Sequence, residues 1–437
     1  MFRGLRNIGC LSLFRLYFAW LLLLFSQPYA LSQQVTGTFF PTAYGDIQTS
    51  AAPFSQEFPT DAPLLKGQAT QFQQDLLQQR RPYISSVFAY ANQSLVPRDS
   101  KLDTVTQGIE VGFFPTLKSQ VQLFYLPTIF GLQKPQVFGN EYRAVYRVQP
   151  TDRFKLITQL GLFQYGQNAT TDGGLSVIGG AAGFYSITDR IRANFGYRRD
   201  IIGNSLLSAT GINLPGTNEL VGRAKQDLIF VGGDFRPTPK TAISFQYGHG
   251  IITGHDIDNN NFNQCNLYAG RTIYHRDSSS LISFIQPGYQ FLWLSYAKDL
   301  DGFGNLTLVP APTPALETLR LATSQAGLTS IPMPVGSQQP GVGGYFSPQQ
   351  FYVNTCRVDL GGRLLASLYY RAGAGLGVQN LKQLGNHLDQ SELSGNASAS
   401  VNYRFNRHIN MEVGWIFLQN GTTYRRNVCY SQTRYVF

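Results

Sequence analysis

From about Arg81 onward, apolar and polar residues alternate with period two, and turn residues interrupt the alternation at intervals. The clearest run is Leu393 to Phe405. Leu393, Gly395, Ala397, Ala399, Val401, Tyr403 and Phe405 share one face, and Ser394, Asn396, Ser398, Ser400, Asn402 and Arg404 share the other. Successive side chains of a strand point to opposite faces, so this run predicts a strand with one wet face and one apolar face. Two aromatics close the apolar side, as an interfacial girdle requires. The next run sets Ile409, Met411, Val413, Trp415 and Phe417 against Asn410, Glu412 and Gly414, and only Asn406-Arg407-His408 separates the two, which predicts a hairpin. Earlier runs agree: Leu368, Tyr370, Leu376 and Val378 oppose Tyr369, Arg371 and Gln379; Ile191, Phe195 and Tyr197 oppose Arg192, Asn194 and Arg198; Tyr142, Ala144 and Tyr146 oppose Glu141, Arg143 and Arg147.

About sixteen such strands are expected, starting near residues 81, 104, 117, 139, 153, 174, 189, 222, 239, 262, 281, 349, 363, 391, 408 and 423. An even count of that size suits a transmembrane antiparallel β-barrel with a water-filled lumen, an all-β fold over 81–437 whose closing strand ends in the aromatic Phe437. The alternative is a soluble β-sandwich, in which a second sheet covers the apolar face. Energetics orient the barrel: an Arg on the lipid face at the bilayer midplane costs about 2–4 kcal/mol. Arg143, Arg147, Arg192, Arg371 and Arg404 are therefore expected to point into the lumen.

Before the alternation begins, the chain reads differently. Arg3 and Arg6 precede an apolar run from Leu16 to Phe25, and Ala30-Leu31-Ser32 offers small residues in a cleavage pattern, so 1–32 is expected to be a signal peptide. The run is shorter than the ~20 residues of a spanning helix. Residues 33–80, rich in Gln, Thr, Ala and Pro, are expected to form a periplasmic lead-in, partly disordered or with a short helix in Gly67 to Arg81. A Pro-, Ala-, Thr- and Ser-rich stretch at 309–339 reads as a long loop insertion.

Composition sharpens this picture. Charged residues are only 14%, aromatics reach 13%, and mean hydropathy is −0.13, which excludes a bundle of apolar helices and fits two-faced strands. The net charge of +10 suits anionic solutes or lipopolysaccharide phosphates, whereas nucleic-acid binding is not expected because Arg and Lys are scattered. Cys10 falls in the expected signal, and Cys265, Cys356 and Cys429 stand at wide spacings that imply neither a disulfide framework nor a metal site. Asp256-Ile257-Asp258-Asn259-Asn260 lacks the Gly and distal Glu of a calcium loop. No Ser/His/Asp set or carboxylate pair stands out, so neither an enzyme nor a cofactor is expected.

Three segments carry more than alternation: Arg198-Arg199-Asp200 through Gly211; Tyr247-Gly248-His249-Gly250 through His255-Asp256 and Asn259-Asn260; and Gly343-Gly344-Tyr345-Phe346-Ser347-Pro348-Gln349-Gln350. In order and spacing they resemble the C-terminal barrel domain of the cellulose synthase operon protein C family, over roughly residues 80–437. That resemblance implies an outer-membrane channel for export of an exopolysaccharide, cellulose or a related β-glucan. The implied partners are outer-membrane lipid, the polysaccharide chain, and an inner-membrane glycosyltransferase complex or a separate periplasmic repeat protein. Family members usually carry tetratricopeptide repeats before the barrel, and no such repeat is visible here. Candidate polymer-contacting or lumen-lining residues are Arg198, Arg199, Asp200, His249, His255, Asn259, Tyr345, Phe346, Arg371 and Arg404. Plainer roles stand beside these: Arg198, Arg199 and Asp200 as an ion-pair network, the histidines as polar strand ends, and the glycines and proline of the third segment as a turn. A general diffusion porin, and a structural or adhesive barrel plugged by 309–339, are the competing functions.

Overall fold

The computed structural model describes residues 81–437 apart from 96–99, 117, 132–135, 168–170, 204–205, 214–219, 239, 276–279, 299, 301–346, 366, 383–389, 407 and 422–423. The expected signal, lead-in and 309–339 insertion, with Tyr345 and Phe346, lie outside the described residues. Sixteen long strands form one sheet: β1 (Tyr83–Leu95), β2 (Ser100–Thr116), β3 (Ser119–Phe130), β4 (Val137–Thr151), β5 (Phe154–Tyr165), β6 (Gly174–Ser186), β7 (Ile191–Ile201), β9 (Leu220–Thr238), β10 (Thr241–His255), β11 (Ile257–Arg271), β13 (Phe284–Tyr296), β14 (Gln350–Leu365), β15 (Leu368–Lys382), β16 (Gln390–Arg404), β17 (Ile409–Asn420) and β18 (Tyr424–Val436). Two-residue pieces, β8 (Ile212–Asn213) and β12 (Tyr274–His275), and one helical turn, α1 (Leu206–Thr210), are appended.

Every long strand pairs antiparallel with its neighbours in sequence, and β1 pairs with β18 from Tyr83↔Val436 to Leu95↔Tyr424. The sheet therefore closes on itself and has no edge. Closure removes the sandwich alternative, because all sixteen long strands among the described residues belong to one sheet and none of them covers its apolar face. Strands of 11 to 19 residues exceed the ~9–11 needed to cross a bilayer. One end of the barrel carries tight turns. There Thr188 Oγ1 accepts from the amides of Arg190 and Ile191 at 3.2 and 3.1 Å, and Asn406 Oδ1 accepts from those of His408 and Ile409 at 2.7 and 2.9 Å. Such short polar side chains stand in for backbone partners in a tight turn. The other end carries the long connections, and short turns face the periplasm in barrels of this type.

Polarity is inverted relative to a soluble protein. Leu376 is 78% exposed and Leu393 79%, while Gln379 is 0% and Ser394 4% exposed on the alternate positions of the same strands. In a closed sheet the exposed apolar set is the outside, so lipid meets Leu, Val, Phe and Tyr, and the wall's polar side chains point inward. Arg143, Arg147, Arg192, Arg371 and Arg404 all fall on the inward-facing set, as expected. Aromatics ring the outer rim at the short-turn end: Tyr403 against Phe405 at 4.5 Å and Tyr435 against Phe437 at 5.2 Å, both edge-on.

Inward aromatics follow a rule of their own. Tyr83 lies opposite Gly112, Phe230 opposite Gly196, Phe262 opposite Gly250, Phe284 opposite Gly361 and Tyr430 opposite Gly414. A Cβ at any of these glycines would overlap the neighbouring ring. The missing side chain lets each ring lie against the neighbouring strand of the wall.

Candidate functional site

The long-loop end is narrowed by the chain between β7 and β9, which turns inward. Ile201, Ile202 and Gly203 are buried, and α1 follows. Ala209 of α1 packs with Leu102, Phe130, Val137, Phe163, Tyr165 and Ile178, all inward-facing side chains of β2 to β6, so α1 sits inside the mouth. Leu207 packs with Ile212 and Val221. Gly211, at φ +71, ends the helical turn, its amide donating to Leu207 O at 3.0 Å. Arg223 pins the segment: its Nε donates to Thr210 O at 3.0 Å, its Nη2 to Asp172 O at 2.5 Å, and its guanidinium lies 4.0 Å over the Tyr165 ring. Gly222, at φ +96, lets this strand approach the Leu207 carbonyl closely.

The three sequence segments meet at this mouth. Residues 198–211 supply the end of β7 and α1; residues 247–256 supply the end of β10, where His255 pairs with Gly222 of β9. The third segment returns the chain to the barrel: Ser347 Oγ accepts from the Leu300 amide at 2.7 Å, Pro348 O from the Tyr296 amide at 3.2 Å, and Gln349 O from Ser295 Oγ at 2.9 Å. Nearby, Asn260 holds the Lys298 backbone from both sides, at 2.7 and 2.9 Å.

Behind the mouth the inner wall mixes polar groups with a buried apolar cluster that includes Phe124, Val145, Ile157, Phe184 and Phe230. Arg357 Nε donates to Asp359 at 3.0 Å, Nη1 to Asn396 Oδ1 at 2.8 Å and Nη2 to Ser398 Oγ at 2.7 Å. The guanidinium reaches β16 because Gly373, on the intervening β15, puts no side chain in its way. Tyr430 OH donates to Glu412 at 3.1 Å, and Arg371 lies close enough to both to interact electrostatically. At the closing seam, Glu110 accepts from Tyr83 OH at 2.5 Å, Gln122 at 2.7 Å and Gln432 at 2.7 Å. Arg434 completes the seam cluster 3.6 Å from Glu110, with its guanidinium 4.2 Å over the Tyr83 ring.

The predicted residues divide between these settings. Arg198 and Asp200 face inward and form a buried ion pair at 2.5 Å, and Arg371 and Arg404 face the lumen. Arg199 does not join them. It shares the outward set with Phe195 and Tyr197 and holds Asp227 with two bonds of 2.7 Å, because one residue along a strand reverses the face. His249 is outward too, 2.9 Å from Asn263 Oδ1, and Asn259 is exposed on the outward set; His255 is exposed at the rim. These four correct the expectation that both motifs line the lumen along their whole length. Sequence reading missed Arg357, Glu412, Tyr430 and the Glu110–Arg434 pair, although their inward position follows from the same alternation. Nothing local marks Arg223, whose partners are 13 and 51 residues away.

No protein-family model matches the chain, and no curated protein matches it. Its structure is similar to a bacterial polysaccharide outer membrane secretin, with a TM-score of 0.52 and 10% identity over 82% of this chain and 99% of that one. OpdQ of Pseudomonas aeruginosa follows at TM-score 0.37 and 10% identity, over 82% and 98% of the two chains. CdiB from Acinetobacter baumannii matches at TM-score 0.40 and 8% identity, over 81% and 60%. This chain has the fold of a bacterial outer-membrane β-barrel. The apolar outer face and polar inner wall place it in the outer membrane, and at these identities the likeness speaks for the fold and not for the cargo.

Proposed function

We propose that this protein is the outer-membrane channel of an exopolysaccharide export system. The observation that carries the reading is that guanidinium, amide, hydroxyl and phenol groups stand on the inner wall, beside apolar ones, between the short-turn end and a mouth that α1 narrows. A polymer in transit needs many weak contacts of this kind, since a single tight site would stall it. Two likenesses support the reading: the order of the three segments resembles that of the cellulose synthase operon protein C barrel, and a structural neighbour is a polysaccharide secretin. The cargo on this reading is cellulose or a related β-glucan. It is delivered at the periplasmic end by an inner-membrane glycosyltransferase complex or a separate periplasmic repeat protein.

Single-channel recording in planar bilayers tests this. Steady conductance with transient block by cello-oligosaccharides is expected. Free passage of small solutes with no saccharide block gives the protein to the diffusion-porin class instead, and no conductance at all gives it to the plugged barrels.

A further inference from the structure

On the outer wall, the lipid-facing side chains of β7 and β9 change character toward the long-loop end. Phe195, Tyr197 and Arg199 of β7 lie opposite Val231, Ile229 and Asp227 of β9, and Lys225 is the next outward residue toward the mouth. The four apolar and aromatic residues are exposed, and Arg199 keeps 42% of its side chain exposed. At the usual strand tilt β7 rises roughly 20 Å from Ile191 to Arg199, and the apolar band of such a barrel is about 25 Å tall. Arg199 and Lys225 therefore stand where acyl chains give way to headgroups.

Asp227 fixes the Arg199 guanidinium without using it up. It accepts from Nε and Nη2 at 2.7 Å each, two of the five N–H donors of the fork, and from the Tyr197 hydroxyl. Lys225 lies within electrostatic reach of Arg199, Asp227 and Arg223. His255, exposed at the adjoining end of β10, is within reach of Lys225 and Arg223. Arg199 and Lys225 against Asp227 leave this stretch of outer wall positive. A trough runs beside it. On the other side of β7, Phe195, Tyr197 and Arg199 lie opposite Gly183, Ala181 and Gly179 of β6, which lie opposite Leu156, Thr158 and Leu160 of β5. Small residues between larger ones leave a shallow channel on the lipid face that ends at Arg199. A Cβ on Gly183 would meet the Phe195 ring, which closes the lower end.

We propose that this patch binds a phosphate of the phosphorylated, acylated glycolipid of the outer leaflet, with an acyl chain in the β6 trough. Arg199 and Lys225 donate to the phosphate oxygens, and Asp227 is a positioning residue that orients the fork. The order of side chains along β7 and β9, apolar, then aromatic, then cationic, matches the order of groups along such a lipid. The site lies outside the lumen and is independent of what passes through it.

The test incubates the full chain in detergent with bis-phosphorylated lipid A or its dephosphorylated form and reads bound lipid by native mass spectrometry. At low salt the phosphorylated form is expected to be retained about tenfold more strongly, the size two partly exposed ion contacts supply. Arg199→Gln/Lys225→Gln abolishes that preference, and Ala181→Phe lowers retention of both forms by filling the trough. Lys118→Gln, at the short-turn rim beside Asp152, leaves retention unchanged. Heat-modifiable mobility in gels shows that the variants fold; should the double variant fail to, Lys225→Gln alone keeps the Arg199–Asp227 pair and still reads a partial loss. Equal retention of the two lipid forms, or a preference that survives in the charge variants, overturns the proposal. Displacement of bound lipid A by an equal concentration of inorganic phosphate makes the patch a free-anion site and overturns it as well.

Discussion

At the scale of single residues, the inner wall is decided by what stands beside each aromatic ring. The atoms nearest to where a Cβ on Gly139 would lie belong to the Phe163 ring, and Phe163 is itself fully buried against Phe130 and Tyr165, at 6.1 and 4.8 Å. Gly139→Val is expected to destabilise the barrel by about 1–3 kcal/mol through overpacking. The same change beside Phe163→Ala should cost less than the two separate losses added together, since the shortened side chain vacates the space. Urea titration of the heat-modifiable form in detergent measures this, and simple additivity would show that ring and glycine do not share a site. Tyr and Phe were legible in the sequence as strand residues, and so was their face. Which glycine makes room for which ring was not, because the partner sits on another strand and depends on register.

Elements show the same division between local and distant causes. The period-two pattern makes β4, β7, β15, β16 and β17 readable from end to end, since a two-faced wall between lipid and water forces alternation on every strand. It also explains the error at Arg199: a motif read as a block of like residues is split by the pleat between two solvents. The α1 segment has no such signature. Five residues, Leu206–Thr210, carry no charge at either end and would not hold a helix alone. They are held by Arg223, whose two donated bonds each reach a backbone carbonyl. Arg223→Ala removes charge-assisted bonds of about 1.5–3 kcal/mol each and should release the segment from the mouth. Single-channel conductance is expected to rise in this variant while barrel stability in detergent changes little; an unchanged conductance would mean that α1 does not set the narrowest point.

The whole molecule depends on one junction that no single strand reveals. Where β18 meets β1 the barrel closes over a buried cluster that reaches β2, with Arg434 and Glu110 at 2% and 1% side-chain exposure. Arg434→Leu leaves a buried carboxylate with fewer partners and is expected to cost about 3 kcal/mol. The Glu110→Gln/Arg434→Leu double variant should recover part of that loss, because an amide tolerates burial better than an unpaired charge. The temperature at which the compact gel form converts to the unfolded one reports both. Equal losses in the single and double variants would show that the pair is not what holds the seam.

Alternation by itself determined that the chain is a wall of about sixteen two-faced strands, which face of each is wet, and hence that arginines point inward. Those conclusions follow from a period of two and from the cost of charge in lipid, and neither needs long-range information. Tertiary structure alone decided that the wall closes through β1 and β18, which residues on neighbouring strands Arg199 and His249 meet, and that α1 folds into the mouth. Pairing register brings together residues as distant in sequence as Tyr83 and Val436, and Arg434 Nε donates to Ser85 Oγ at 2.9 Å across the same seam; no local pattern encodes a register.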